Sequence, residues 1–186
     1  MLELPVASEV LTKLQNPASW DWKWIMDCYT LSWSTFILLV ALEALTWTPD
    51  WKKKIKDPKM WGMYVNAVKS TTFHLTVIGP VAYGISKYII ESGESRFPSY
   101  IAIPGVFVTQ GIGYALAHAW MHIPSNYWIH KYHHQYSELS FVRPVAANTV
   151  TNTEFMIAYA LPIVTGLVVF KPQINDVWYV IPALHM

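Results

Sequence analysis

Long stretches without a charged side chain constrain this sequence more than any other feature. The strongest runs from Tyr100 to Ala117, eighteen residues that include no Asp, Glu, Lys or Arg. A helix of that length, with a rise of about 1.5 Å per residue, extends about 27 Å, which is close to the thickness of the hydrocarbon core of a bilayer. The sequence therefore predicts a helix that crosses a membrane.

Four further segments follow the same pattern less strongly. They are Tyr29 to Trp47, which Glu43 interrupts near its end, Thr71 to Ser86, Phe155 to Phe170, and an apolar run that opens at Val177 and continues to Met186. Charged residues make up only 13% of the 186 residues and hydrophobic residues 53%, whereas a soluble domain has about 25% and 45–50%. We therefore predict an all-α polytopic integral membrane protein with about four transmembrane helices and the start of a fifth. A soluble all-α protein with a buried core is the alternative.

Charge and cysteine content narrow the possible functions. Thirteen Lys and Arg residues against twelve Asp and Glu leave a formal net charge of +1, so no nucleic-acid partner is expected. Cys28 is the only cysteine, which excludes an internal disulfide and a cysteine-based zinc site. We expect Cys28 to be a small buried apolar side chain.

Basic residues concentrate in the connection between the first two predicted spans. This connection contains Lys52, Lys53, Lys54, Lys56, Lys59 and Lys69, against only Asp50 and Asp57. Since Lys and Arg are enriched in cytoplasmic loops, we predict that it faces the cytoplasm. Successive spans alternate in direction, so the segment from His118 to Glu154 is expected on the same side.

Five of the seven histidines fall within seventeen residues of that segment. The first group is His118-Ala-Trp-Met-His122, and the second is His130-Lys-Tyr-His133-His134. On helices, the i, i+4 spacing of the first and the i, i+3, i+4 spacing of the second place each set of imidazoles on one face. Pro124, Ser125 and Asn126 predict a break between two short helices that fold against each other.

Clustered imidazoles indicate a metal site, because imidazole binds Zn, Cu, Fe and Ni. Five exceed what one tetrahedral zinc takes, and the sequence has no His-Glu-x-x-His motif that would supply a hydrolytic base. A two-metal site with only nitrogen ligands, at the membrane surface, fits best. Interfacial histidines that pack or bind lipid headgroups are the alternative to a metal site.

The order of spans, His-x-x-x-His and His-Lys-x-His-His resembles the fatty acid hydroxylase and sterol desaturase superfamily of membrane proteins. The resemblance is strongest over Tyr114 to Pro144, with a best-matching core of about residues 100–170, and implies that residues 1–186 form a single, incomplete domain of this kind. It also implies a non-haem di-iron centre that activates O2, in the endoplasmic reticulum, with the histidine boxes facing the cytoplasm. The iron ligands would be His118, His122, His130, His133 and His134.

The resemblance further implies an O2-dependent membrane oxidoreductase, a hydroxylase or desaturase, that acts on a membrane lipid or sterol. Electrons would come from a cytochrome b5-type partner and an NAD(P)H reductase. The sequence leaves open the substrate and the choice between hydroxylation and desaturation. Two alternatives also stay open: a catalytically incomplete isoform or non-enzymatic membrane protein, and a zinc-dependent membrane protein.

The sequence departs from the family pattern at several positions. A third box, His-x-x-His-His, is absent and only His185 follows the second, so we expect a C-terminally truncated member. Ala119 follows the first histidine, where many relatives have Arg or Asp. His74 is a possible additional ligand, or a residue that bonds to one. Glu138 and Glu154 are the only acids near the boxes, and we expect each to be solvated or to cap a helix.

Overall fold

The computed structural model describes residue 12 and residues 15–46, 49–91, 97–136 and 149–176. Within these ranges the regular structure is entirely helical, which confirms the predicted all-α class. The helices are α1 (Trp22–Thr46), α2 (Pro49–Lys54), α3 (Pro58–Phe73), α4 (Gly79–Glu91), α5 (Ser99–Met121), α6 (Tyr127–His134) and α7 (Asn152–Phe170), with short 3-10 turns at Pro17–Ser19 and Ile174–Asp176.

Two of the long helical stretches contain a wider, π-helical turn. His74–Ile78 joins α3 to α4, so that helix continues from residue 58 to residue 91. In α7 an α-helical start, Asn152–Glu154, is followed by a π segment, Phe155–Ala160, and then by Leu161–Phe170. Such segments are rare and frequently lie at functional sites.

Three of the described helices, α1, α5 and α7, are long and apolar enough to cross a membrane. They contain nearly all of the first, third and fourth predicted spans. The predicted second span, Thr71 to Ser86, lies within the continuous stretch from α3 to α4, which is not among the three. The fifth, from Val177 to Met186, lies outside the described residues.

Large apolar side chains on these helices point away from the protein. Leu45 on α1 is 82% exposed, and Leu116 on α5 is 68% exposed. Less than a third of the most apolar part of each helix is buried within the protein. This outward apolar surface is compatible with an integral membrane protein, whose helices lie against lipid.

Helices α5 and α7 pack closely because glycines lie at their contact. A Cβ atom on Gly113 would lie 2.6 Å from Cβ of Pro162, and one on Gly166 would lie 3.1 Å from Cα of Val106. A side chain at position 113 would overlap Pro162, and one at position 166 would press on the backbone of Val106. This close packing of the two helices brings the start of α7 beside the end of α5, where the first histidine box lies.

A core of α1, α4, α5 and α7 forms the main body of the bundle. Its buried members include Ile25 and Cys28 from α1, Tyr83 from α4, and Val106 and Leu167 from α5 and α7. Cys28 is completely buried, as predicted. These contacts place α4 against both α1 and α7, and α7 also packs along α5.

A second core joins the histidine segment to the lysine-rich region. Phe36, Leu75 and Tyr136 are buried together, with Ile55 and Tyr132 packed against them. The six lysines of residues 52–69 are exposed around this core. The lysine-rich region and the second histidine box therefore lie at the same end of the bundle, whichever side of a membrane that is.

Candidate metal centre

The first histidine box lies at the end of α5. The backbone N–H of His122 still bonds to the carbonyl of His118, at 3.1 Å, so the i, i+4 relation is helical. As a result, Nε2 of His118 and Nε2 of His122 are 3.1 Å apart. The predicted shared face is confirmed.

A tight turn then reverses the chain into α6. The backbone N–H of Asn126 donates to the carbonyl of Ile123 at 2.8 Å, and its side-chain amide donates to the carbonyl of Trp120 at 3.3 Å. This is the predicted break at Pro124, Ser125 and Asn126. Ile129 then anchors α6, because it is buried against Met121 of α5 and Ala158 of α7.

The turn brings the two boxes together. The ring of His130 lies 4.5 Å from that of His118 and 4.9 Å from that of His122, measured between centroids. One ring nitrogen from each of these three residues lies within 4.8 Å of the others. We call His118, His122 and His130 the histidine triad.

The other two histidines of the second box surround the triad. Nε2 of His134 lies 3.4 Å from Nε2 of His122, and its ring centroid is 4.5 Å from that of His130. The ring of His133 is farther out, 5.2 Å from His130 and 6.0 Å from His134. All five predicted ligands therefore gather in one place, with His133 at the edge.

These distances fit a metal site. Two nitrogens bound to one ion at about 2.1 Å are roughly 3.0 Å apart at a right angle and roughly 3.4 Å apart at a tetrahedral one. The two Nε2 separations around His122, 3.1 and 3.4 Å, fall in this interval. In addition, Nε2 of His130 is buried and has no hydrogen-bond partner among the described residues. A lone pair in that situation fits a metal ligand.

The other nitrogen of His130 explains why this lone pair faces the triad. Its Nδ1–H donates to Oε1 of Glu154 over 2.6 Å, and the two residues are 0% and 2% exposed. Metal-binding histidines almost always donate their second ring nitrogen to a carboxylate or carbonyl in this way, which fixes the tautomer and the ring orientation.

The expectation that Glu154 is solvated or caps a helix is wrong. The capping group of α7 is Thr151, whose hydroxyl oxygen accepts from the backbone N–H of Glu154 at 3.1 Å. The Glu154 carboxylate turns instead toward α6 and is buried against His130. Thr151 and Glu154 have the Thr-x-x-Glu spacing of a capping box, but the side chain that caps the helix is that of Thr151.

His130 and His134, both on α6, are in the form that binds metal. Burial, aided by the neighbouring imidazoles, lowers the pKa of His130 to about 4. Burial and the rings of His122 and His133 also hold the pKa of His134 below its usual value. Both rings are therefore neutral at physiological pH, and a neutral ring has a nitrogen lone pair to offer.

His133 is oriented by the chain that precedes α7. Its Nδ1–H donates to the backbone carbonyl of Thr149 at 3.2 Å, and Thr149 is completely buried. The hydroxyl of Thr151 donates to the carbonyl of Ile129 at 3.2 Å, which ties the same chain to α6. Residues 149–154 thus support two of the predicted ligands.

His74 is not part of the triad. It is buried in the π segment between α3 and α4, where its Nε2–H donates to Oδ1 of Asn152 at 3.1 Å. Its ring stacks on Phe155 with centroids 4.7 Å apart. His74 therefore contacts the same short segment that carries Glu154. His185 and Glu138 lie outside the described residues.

A search of protein-family models, of curated proteins and of solved structures finds no match to this chain. The resemblance to the hydroxylase and desaturase superfamily therefore depends on the two histidine boxes and the apolar spans alone. Sequence reasoning missed the roles of Glu154, Thr149 and Asn152. The one available signal was Glu154, an acid directly before a sixteen-residue run without charge.

Proposed function

We propose that the histidine cluster is a non-haem iron centre and that this protein is an O2-dependent membrane oxidoreductase, which hydroxylates or desaturates a lipid or sterol. The observation that carries the proposal is the buried His130, whose Nδ1–H is bonded to Glu154 while its Nε2 faces His118 and His122 without a partner among the described residues. An imidazole held in this way is prepared for a metal.

The five histidines of the two boxes would hold the metal, with the triad at the centre. Bound iron would supply the O2 activation that breaking an unactivated C–H bond requires, since no side-chain acid or base removes such a hydrogen. Glu154 fixes the His130 ring and keeps its Nε2 available. Met121, next to His122, and Ile129, next to His130, are buried together with Ala158.

Five histidine nitrogens are few ligands for two iron ions. The proposal therefore includes the Glu154 carboxylate as a further ligand. Oε2 of Glu154 is buried and has no hydrogen-bond partner among the described residues. It is thus a donor atom beside the cluster, in addition to its role in orienting His130.

The location of the centre is part of the same proposal. The lysine-rich region and the second histidine box pack at one end of the bundle. We assign that end to the cytoplasmic face of the endoplasmic reticulum membrane, because basic residues favour the cytoplasmic side. A cytochrome b5-type donor and its NAD(P)H reductase would then approach the exposed side of the cluster, at His122.

Zinc is the second candidate, because three histidines are also the protein ligands of a catalytic zinc site. Metal analysis of the full chain separates the two. Protein purified in detergent and loaded anaerobically with Fe²⁺ or Zn²⁺ should retain iron, with up to two ions per chain, and His118→Ala should lose it. Lys131→Ala is the matched control, since Lys131 is an exposed neighbour of His130 on α6.

The activity is then tested with the iron-loaded protein, a cytochrome b5-type donor, its reductase and a total lipid extract. We expect NAD(P)H-dependent O2 uptake and a lipid product that is 16 Da heavier or 2 Da lighter than its precursor, both absent in His118→Ala. Retention of zinc but not iron would favour the second candidate. A chain that binds neither metal would refute the metal centre.

A further inference from the structure

An apolar cavity of about 200 Å³ lies between α1, the stretch from α3 to α4, and α7. Both π segments contribute to its wall, Leu75 and Ile78 on one side and Met156 and Ala160 on the other. Apolar side chains form nearly the whole wall, so its occupant must have an apolar body.

One end of the cavity reaches the segment before and at the start of α7 that orients His130 and His133. Val150 and Phe155 line it there, together with His74. Phe155 directly follows Glu154, which binds His130, and Val150 directly follows Thr149, which binds His133. A ligand in this cavity therefore comes within one residue of the groups that orient the histidines.

A pair of hydroxyl groups interrupts the apolar surroundings farther along. Tyr83 lines the cavity, and its hydroxyl is hydrogen-bonded to that of Ser32 on α1. Tyr83 is 7% exposed and Ser32 is 1% exposed. The Tyr83 hydroxyl lies over Gly79, another lining residue, where a Cβ atom would come within 3.2 Å of it. We call Ser32 and Tyr83 the hydroxyl pair.

The hydroxyl pair has one hydrogen more than it uses. Two hydroxyls carry two O–H hydrogens, and the bond between them consumes one. Among the described residues, neither side chain makes another hydrogen bond. An O–H group buried without an acceptor is costly, so this position favours a ligand that supplies an oxygen.

We propose that the cavity binds a lipid with a long apolar body and a single hydroxyl or carbonyl oxygen, and that this oxygen accepts the remaining hydrogen of the hydroxyl pair. Tyr83 follows His74 by nine residues, about 13 Å along the helix. The body of the ligand would occupy the stretch between the hydroxyl pair and the end of the cavity at Phe155. The inference rests on the proposed function in taking this lipid as the substrate, whereas binding itself requires no metal.

Two kinds of lipid have this chemistry, a sterol and a long-chain alcohol. Binding to chelator-treated protein in detergent can be measured by energy transfer from tryptophan to a fluorescent sterol, since Trp24 lines the cavity. Cholesterol, 1-hexadecanol and hexadecane then compete for the site. Hexadecane has the same chain length as 1-hexadecanol but no oxygen, so it measures binding of the apolar body alone.

The informative variant removes both hydroxyls, Ser32→Ala with Tyr83→Phe. Removing both partners of a buried hydrogen bond together is nearly neutral for stability, whereas removing one leaves the other unsatisfied. Tyr100→Phe is the control, because that side chain is 78% exposed at the start of α5. The melting temperature of each variant reports whether it folds.

We expect the wild-type protein to bind one of the two alcohols about 3- to 10-fold more tightly than hexadecane, the usual effect of one hydrogen bond. The double variant should lose this preference and keep its affinity for hexadecane, while Tyr100→Phe should behave as wild type. The alcohol that binds more tightly, cholesterol or 1-hexadecanol, shows whether the ligand is a sterol or a long-chain alcohol. An unchanged preference in the folded double variant, no preference in the wild type, or no binding would overturn the proposal. Metal content is measured separately. A wild-type protein that binds the lipid but no metal would therefore contradict the metal centre and not the lipid site.

Discussion

The Nδ1–H of His130 donates to Oε1 of Glu154 over a distance of 2.6 Å, in surroundings that exclude solvent from both side chains. This bond joins α6 to the start of α7, 24 residues later. It fixes which nitrogen of His130 faces His118 and His122. The geometry of the cluster therefore depends on a residue outside both histidine boxes.

Glu154→Gln should weaken metal binding about 10- to 100-fold, the usual effect of losing a carboxylate that supports a histidine ligand. The substitution preserves size and one carbonyl oxygen, so folding should be retained. Anaerobic Fe²⁺ titration of the chelator-treated protein measures the loss. Glu91→Gln is the control, since that carboxylate is half exposed at the end of α4. Equal affinities for the two variants would contradict the role of Glu154.

His130→Ala and His133→Ala should differ in their effect. His130 belongs to the triad, so its removal should reduce Fe²⁺ affinity by about 100-fold or more. His133 lies at the edge of the cluster, and its loss should leave a substantial part of the bound metal in place. Metal content after gel filtration compares the variants. The reverse order would show that the centre is displaced toward His133.

His74→Phe should leave metal content unchanged. The phenyl ring can keep the stacking on Phe155, while the hydrogen bond to Asn152 is lost, at a cost of about 1 kcal/mol of stability. A small fall in melting temperature with full metal loading is the expected result. A loss of bound iron would make His74 a ligand, as the sequence left open.

Gly113→Ala and Gly111→Ala should have opposite effects on stability. The methyl group on Gly113 would overlap the rigid ring of Pro162, whereas nothing lies within 4 Å of a Cβ on Gly111. We expect the first to destabilise the protein by about 1–3 kcal/mol through overpacking and the second to stabilise it by up to about 1 kcal/mol. Thermal unfolding in detergent measures both. Similar melting temperatures would mean that α5 and α7 pack less closely than described.

Single introduced cysteines should report the orientation in sealed microsomes. Cys28 is fully buried, so the background reaction with a membrane-impermeant maleimide should be low. Lys53→Cys and Trp128→Cys should react from the cytoplasmic side, and Tyr100→Cys should react only after the membrane is opened. The last two positions are both exposed; Tyr100 lies at the start of the candidate span α5, and Trp128 follows its end. Labelling of all three from outside would refute the proposed topology.

Part of the site could be predicted from the sequence because helix geometry is local. Residues four apart on a helix share a face, so His118 and His122 had to lie together. The turn at Pro124, Ser125 and Asn126 could likewise be predicted, since its signal lies within a few residues. The identity of the metal could not be predicted in this way, because imidazole binds several metals.

The sequence by itself determined the all-helical class, three apolar helices long enough to cross a membrane and the two histidine faces, because each depends on periodicity or on residues close in the chain. Only the tertiary structure decided three hydrogen bonds: Glu154 with His130, His74 with Asn152, and Ser32 with Tyr83. Those partners are 24, 78 and 51 residues apart. Their contacts follow from how α1, the stretch from α3 to α4, α6 and α7 pack, and that packing is set by side chains distributed along the chain.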